Sequence, residues 1–231
     1  MKIAGVKRLL AGAIKRGETS LSEHDSKRVL DAYGVPITKE RLVSSAKDAK
    51  QAAGKIGYPV VLKCCAHDLL HKTEAGLIAV GLNSAKEVGE AFKLLRQRAG
   101  EGFSGAFIVQ EMVKGSRELM IGMKRDNQFG PAVMFGLGGI FTEILQDVSF
   151  RLAPLSTKDA RQMITEIRAA KILGELRGLP AVDKKLLGSA IVGVGKAAVE
   201  NPEILEIDIN PLIIRDNRPI AVDGLIVLAT N

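Results

Sequence analysis

Polar capping signals and apolar spacing divide this chain before any other property is considered. Ser22 with Asp25, Ser45 with Asp48, Ser84 with Glu87, and Ser156 with Asp159 each show the Ser-x-x-acid pattern of a helix start. They predict helices over about 25–33, 46–56, 85–99 and 158–171. A further helix is predicted from Asp183 to Glu200, stopped by Asn201-Pro202. At the start, Ile3, Val6, Leu9, Leu10 and Ile14 fall near helical spacing. They predict a helical arm over residues 1–20 that docks on its own domain or on a partner.

Between the helices the period changes. Pro59–Cys65, Ala106–Val113, Glu118–Met123 and Pro131–Phe135 read as short apolar strands. The tail reads as a hairpin or meander: Ile204–Ile209, Leu212–Arg215, a turn at Asp216-Asn217, then Pro219–Val222 and Leu225–Leu228. Helices and strands are mixed and the last strands are tightly connected. The fold class is therefore α+β or mixed α/β with antiparallel sheets, not a doubly wound parallel sheet. A lobe boundary is expected near Gly102–Gly105, dividing 21–104 from 105–231.

Composition narrows the function classes. At 231 residues and 46% hydrophobic content, the chain can bury one large core or two smaller ones. The formal charge of +7 attracts anions such as nucleotides, CoA, nucleic acid or an acidic partner. Aromatics are only 4%, Trp is absent, and the cations are dispersed, which argues against a nucleic-acid platform. Cys64 and Cys65 are sequence neighbours and make no useful staple, so a reducing cytoplasm fits. Lys7 and Arg8 interrupt any secretory apolar core, and no run is long and apolar enough to span a bilayer.

Four groups of residues could carry chemistry, and each has a plainer reading beside it. Lys63 closes an apolar strand, where a fixed cation suits a polyphosphate; a strand-end lysine reaching to water is the simpler account of that strand alone. Gly136-Leu-Gly-Gly-Ile-Phe-Thr-Glu143 lets backbone amides approach an anion, or is a tight turn. Asp208 and Asn210 share a strand face and Asp223 can come opposite them; together they are hard oxygen donors suited to Mg²⁺, or a solvated face that Glu206 continues. His67 and His71 lie in a polar loop, where an imidazole can accept a phosphoryl group. Lys72 beside His71 favours the neutral nucleophile. Cys64, Cys65, His67 and His71 also have the types of zinc ligands, but adjacent strand cysteines point to opposite faces and converge poorly. His24, among Ser22, Glu23 and Asp25, reads as a surface residue.

Taken together, DLLHKTEAG, QEMVKGSRELMIGM, FGLGGIFTEILQDVSFRLAPL and IDINPL, in this order, resemble the β subunits of the ADP-forming acetyl-CoA synthetases, relatives of succinyl-CoA synthetase. The likeness runs from LSEHDSKRVLDAYGVPIT to AVDGLIVL. It implies an ATP-grasp fold, two α/β lobes with a nucleotide held between them. It implies a reversible reaction in which acyl-CoA, ADP and phosphate become acid, CoA and ATP. By the same likeness, His71 of the HKTE motif is the loop histidine that ferries phosphate. Lys63 is the phosphate lysine; Glu111, Met112 and Val113 are the hinge that reads adenine; Glu118 accepts from the ribose hydroxyls. Gly138, Gly139 and Arg151 cradle or neutralise phosphate, and Asn210 and Asp223 hold Mg²⁺, with Asp208 joining them or steadying the phosphohistidine. The cofactors implied are ATP or ADP with Mg²⁺. A chain of 231 residues has no room for CoA-binding domains as well, so a CoA-binding α subunit in an α2β2 assembly is expected. A stand-alone ATP-grasp ligase working through an acyl phosphate, and a nucleotide-sensing module without turnover, are the competing functions.

Overall fold

The computed structural model describes residues 1–67, 76–139 and 147–229. By packing, these residues divide into two compact units that interleave along the chain. One comprises Ser22–His24 and Thr38–Met112; the other comprises Met1–Leu21, Asp25–Ile37 and Val113–Asn231.

The smaller unit is a four-stranded antiparallel sheet with two helices on one face. Its strands are β1 (Glu40–Val43), β2 (Val60–Cys65), β3 (Ile78–Leu82) and β4 (Ala106–Glu111), in the order β1-β4-β2-β3. Helices α3 (Ala46–Ile56) and α4 (Ala85–Ala99) start where the serines foretold: Ser45 accepts from the Asp48 amide and Ser84 from the Glu87 amide. They press Ala49, Ala53, Val88, Phe92 and Leu95 onto Val60, Leu62, Cys64, Phe107 and Val109. Every residue of β2 is buried, and β2 lies in the middle of the sheet between β4 and β3. The sequence pattern did not mark β1 and β3 because each is a short edge strand with mixed burial, lacking a clean period of two.

The larger unit is a six-stranded antiparallel sheet. Its strands are β5 (Glu118–Asp126), β6 (Gly130–Leu137), β7 (Val148–Leu152), β8 (Ile204–Arg215), β9 (Arg218–Ala221) and β10 (Leu225–Leu228). The order is β10-β8-β5-β6-β7, with β9 pairing along the far half of β8. Alternation decides its two faces. Leu119, Ile121 and Met123, then Val133, Phe135 and Leu137, then Ile207 and Ile209, all point into the core. Helices α5 (Thr157–Glu166) and α6 (Lys184–Glu200) cover that side, and α1 (Ile3–Lys15) adds Val6, Leu10 and Ala13 to the same core. Helix α2 (Glu23–Ala32) contributes Val29 and Leu30.

Three expectations are corrected. The helix expected over 158–171 ends at Glu166, because Ile167 is extended and the carboxylate of Asp147 accepts from the Arg168 and Ala169 amides, starting a separate 3-10 turn over Arg168–Leu173. The two tail strands 204–209 and 212–215 are one strand, β8, whose register against β5 shifts by a residue opposite Leu119–Ile121, beside Pro211. Finally, β7 was not foreseen; it is an edge strand with Phe150 and Leu152 exposed. Among the described residues, no helix is long and apolar enough to cross a membrane.

Candidate functional site

The face of the larger sheet opposite its helices carries most of the candidate residues. Pairing Gly122 with Asp208, Met134 with Gly122, and Phe150 with Met134 places the even-numbered positions of β5, β6 and β7, and those of β8 before its register shift, on that face. There Met120, Gly122, Lys124, Met134, Phe150 and Asp208 line a recess of about 320 Å³. Its floor is apolar and adaptable, and its β8 edge is polar. Glu206, Asp208 and Asn210 are all partly exposed there, while their neighbours Ile207 and Ile209 are buried on the other side.

The glycines behave as close-approach positions. The Gly138 amide donates to the Glu118 carbonyl at 2.9 Å, and a Cβ on Gly138 would collide with the backbone of Leu119. Gly139 has a φ of 62°, in the left-handed region, and a side chain there would occupy the position of the Glu118 carboxylate. The Gly139 amide also reaches Asn210 Oδ1 at 3.4 Å. Glu118, Gly138, Gly139 and Asn210 therefore meet at one end of this face. Residues 140–143 of the glycine-rich stretch, and His71, lie outside the described residues.

Asp208 is the most perturbed group of the cluster. Burial, then the neighbouring Glu206 and Asp223, push its carboxyl up to about 6. Its Oδ1 is buried without a hydrogen-bond partner. The ladders on both sides (Leu212 with Ala221, Asp208 with Leu225) carry the same register, which puts Asp223 across from Asn210. An orphaned carboxylate oxygen beside a second carboxylate and an amide oxygen fits a hard divalent cation. Among the described residues no three His, Cys, Asp or Glu side chains form a metal cluster.

Other candidates sit elsewhere. Arg151, on β7 opposite buried Val133, lies on the helix-covered side of the sheet, where it pairs with Glu166 and donates to the Phe150 carbonyl at 2.8 Å. It is not brought to the face that carries Asn210. In the smaller unit, Lys63 is buried and its Nζ meets Glu23 Oε1 at 2.8 Å. At the end of β4, the Glu111 amide donates to the Lys39 carbonyl and the Met112 amide to the Pro59 carbonyl, while Glu111 Oε1 accepts from the Lys39 amide at 2.8 Å. Val113, in the larger unit, packs with Ile213 and Ile220. Cys64 and Cys65 are free thiols, both buried.

Two positioning residues escaped the sequence reading. Glu23 is buried and orients Lys63; the available signal was that a lysine in an apolar central strand requires a carboxylate partner. Arg117 is buried and donates to the carbonyls of Ile172, Gly174, Pro180 and Asp216, tying two distant loops to the start of β5. No local pattern announces it. His24, read as a surface residue, is only partly exposed, with Nδ1 at 2.7 Å from Glu40 Oε1.

Comparison with known proteins places this arrangement. The ATP-grasp domain family matches residues 12–228. The β subunit of acetate–CoA ligase (ADP-forming) I from Pyrococcus furiosus is 43% identical over 212 residues, covering 90% of this chain and 91% of that protein. Acetate–CoA ligase (ADP-forming) I from Archaeoglobus fulgidus is 37% identical over 87% of this chain, which spans only 30% of that longer protein. Among solved structures, the acetyl-coenzyme A synthetase 1 of Ca. Korarchaeum cryptofilum matches with a TM-score of 0.86 and 40% identity, over 97% of this chain and 100% of that one. That structure holds coenzyme A and Mg-AMPPCP, with its phosphohistidine segment pointing towards the nucleotide binding site.

Proposed function

We propose a function from one premise: this chain belongs to the ATP-grasp domain family, among the β subunits of the ADP-forming acetate–CoA ligases. It is the nucleotide-binding subunit of an acid–thiol ligase in which acyl-CoA, ADP and phosphate become acid, CoA and ATP. The observation that carries the site assignment is the convergence of Glu118, Gly138, Gly139, Asp208 and Asn210 on one open sheet face, with Asp223 across from Asn210.

On this reading the nucleotide lies on that face. Met120 and Met134 offer apolar, polarizable surface to a base, and Glu118 accepts from the ribose hydroxyls. Gly138 and Gly139, without side chains, let the phosphates come close beside Glu118 and Asn210. Asn210, Asp223 and Asp208 would hold Mg²⁺, which when bound neutralises phosphate charge. Lys63, oriented by Glu23, supplies the phosphate cation, and residues 111–113 form the hinge. Arg151, committed to Glu166 on the other side, is left out of the phosphate cradle.

His71 carries the phosphoryl group. Its ring nitrogen loses phosphate to the terminal oxygen of ADP: the N–P bond breaks as the new P–O bond forms, and the histidine returns neutral. The phosphate reaches His71 from a CoA-binding α subunit, in an α2β2 assembly.

Labelling with γ-labelled ATP and Mg²⁺ tests this. The chain should take up acid-labile, base-stable label in the presence of its CoA-binding partner, and His71→Ala should abolish it. A reconstituted complex that turns over while this chain stays unlabelled would replace the shuttle with a direct acyl-phosphate mechanism.

A further inference from the structure

After the 3-10 turn, the chain leaves the core of the larger unit and returns within a few residues. Leu173 and Val182 are buried at the two feet, and the Val182 amide donates to the Leu173 carbonyl at 2.9 Å. Everything from Glu175 to Ala181 is exposed. Leu176 and Leu179 exchange both backbone hydrogen bonds, at 3.1 and 2.8 Å. Arg177 and Gly178 form the two-residue turn between them, with φ of 46° and 81°. Two positive φ values in succession are the mark of the tightest hairpin turn, and for arginine that conformation is unfavourable.

This hairpin is not a slack loop. The buried guanidinium of Arg117 holds its base through the carbonyls of Gly174 and Pro180, and the same group holds Ile172 and Asp216. A rigidly anchored projection that presents two leucines to solvent, 41% and 36% exposed, is built for contact. Its surroundings are cationic. Arg177 stands at the tip, and Lys184 and Lys185, just beyond, line a recess of about 340 Å³ with Arg161. Among the described residues none of these four has an acidic partner. Glu175 is the one acid on the hairpin itself.

We propose that the Leu176–Leu179 hairpin is the docking element for the CoA-binding subunit, inserting its two leucines into an apolar socket with an acidic rim. The proposal rests on the functional reading above. The functional reading supplies that partner, and two observations accord with it. In a longer relative the stretch that matches this chain is 30% of a single polypeptide, so the remainder is held beside it covalently. And Arg117, which anchors the hairpin, directly precedes Glu118 on β5, so what engages the hairpin bears on the strand that carries the nucleotide site.

The test is titration of the full chain with its cognate CoA-binding subunit at low and high salt, with Mg-ADP affinity of each variant measured alongside. Leu176→Asp with Leu179→Asp should weaken the complex about 100-fold, since burying each leucine is worth roughly a factor of ten or more. Arg177→Glu should weaken it about 10-fold and flatten its salt dependence. Mg-ADP affinity should stay within about twofold, because none of these residues touches the nucleotide face. If the double variant fails to fold, Leu176→Ser and Leu179→Ser singly carry the same expectation at about 10-fold each. Partner affinity unchanged in variants that still bind Mg-ADP overturns the proposal. So does loss of a homodimer with partner affinity intact, which would assign the hairpin to a second copy of this chain. If the wild type binds no CoA-binding subunit, the functional reading itself fails, and the docking assignment with it.

Discussion

Replacing Asp208 by Asn should make the metal-free protein more stable at neutral pH. Asp208 is titrated up to about 6 by burial and by the charges of Glu206 and Asp223, whereas an unfolded chain would hold it near 3.8. The folded protein therefore binds this proton more tightly than the unfolded one. At pH well above 6 the native state carries an unfavourable buried charge; as pH falls through 6 towards 4 it is relieved by protonation. The gap of about two pKa units, at about 1.4 kcal/mol each, sets an upper bound of roughly 3 kcal/mol. Since the group is partly solvated and the amide inherits the same unsatisfied environment at Oδ1, a gain of about 2 kcal/mol at pH 8 is expected. Urea denaturation of wild type and Asp208→Asn, in chelator, across pH 4.5 to 8 measures it. The two stability curves should lie apart at high pH and converge as pH falls through about 6. The same variant should bind Mg-ADP more weakly, separating a site designed for a cation from one designed for stability. Curves that run parallel, or a wild type more stable at pH 8, would refute the electrostatic account.

Other perturbations probe the rest of the assembly. Glu23→Ala should destabilise the smaller unit by about 3–5 kcal/mol, because it leaves the buried Lys63 ammonium without its carboxylate. Lys63→Met combined with Glu23→Leu should recover most of that stability in thermal melts, yet bind nucleotide poorly. Gly139→Ala forces a side chain into a φ of 62° and into the position of the Glu118 carboxylate. Calorimetry should show Mg-ADP affinity reduced about 10-fold with circular dichroism unchanged, equivalent to about 1.4 kcal/mol; undiminished affinity would remove Glu118 and Gly139 from the site.

What the sequence by itself determined is what local physics determines. Ser45, Ser84 and Ser156 mark helix starts because a cap bond spans only three residues, and all three are formed. Asp208 and Asn210 share a face because a strand's period is two, and the density of motifs from Lys63 to Asp223 identified the family. Wherever a role depends on a partner distant in the chain, the tertiary structure decided it. Glu23 reaches Lys63 across 40 positions, and Arg117 reaches Asp216 across 99. Arg151 and Phe150 are neighbours in sequence but face opposite sides of one sheet, and only the pairing of β7 with β6 says which of them joins the face that carries Asp208. The end of α5 belongs to the same class, since the Asp147 carboxylate that starts the following turn arrives from another element. Periodicity and capping act over a few residues and are written into the sequence. Burial, ion pairing and the choice of sheet face arise from contacts between segments that no local window contains.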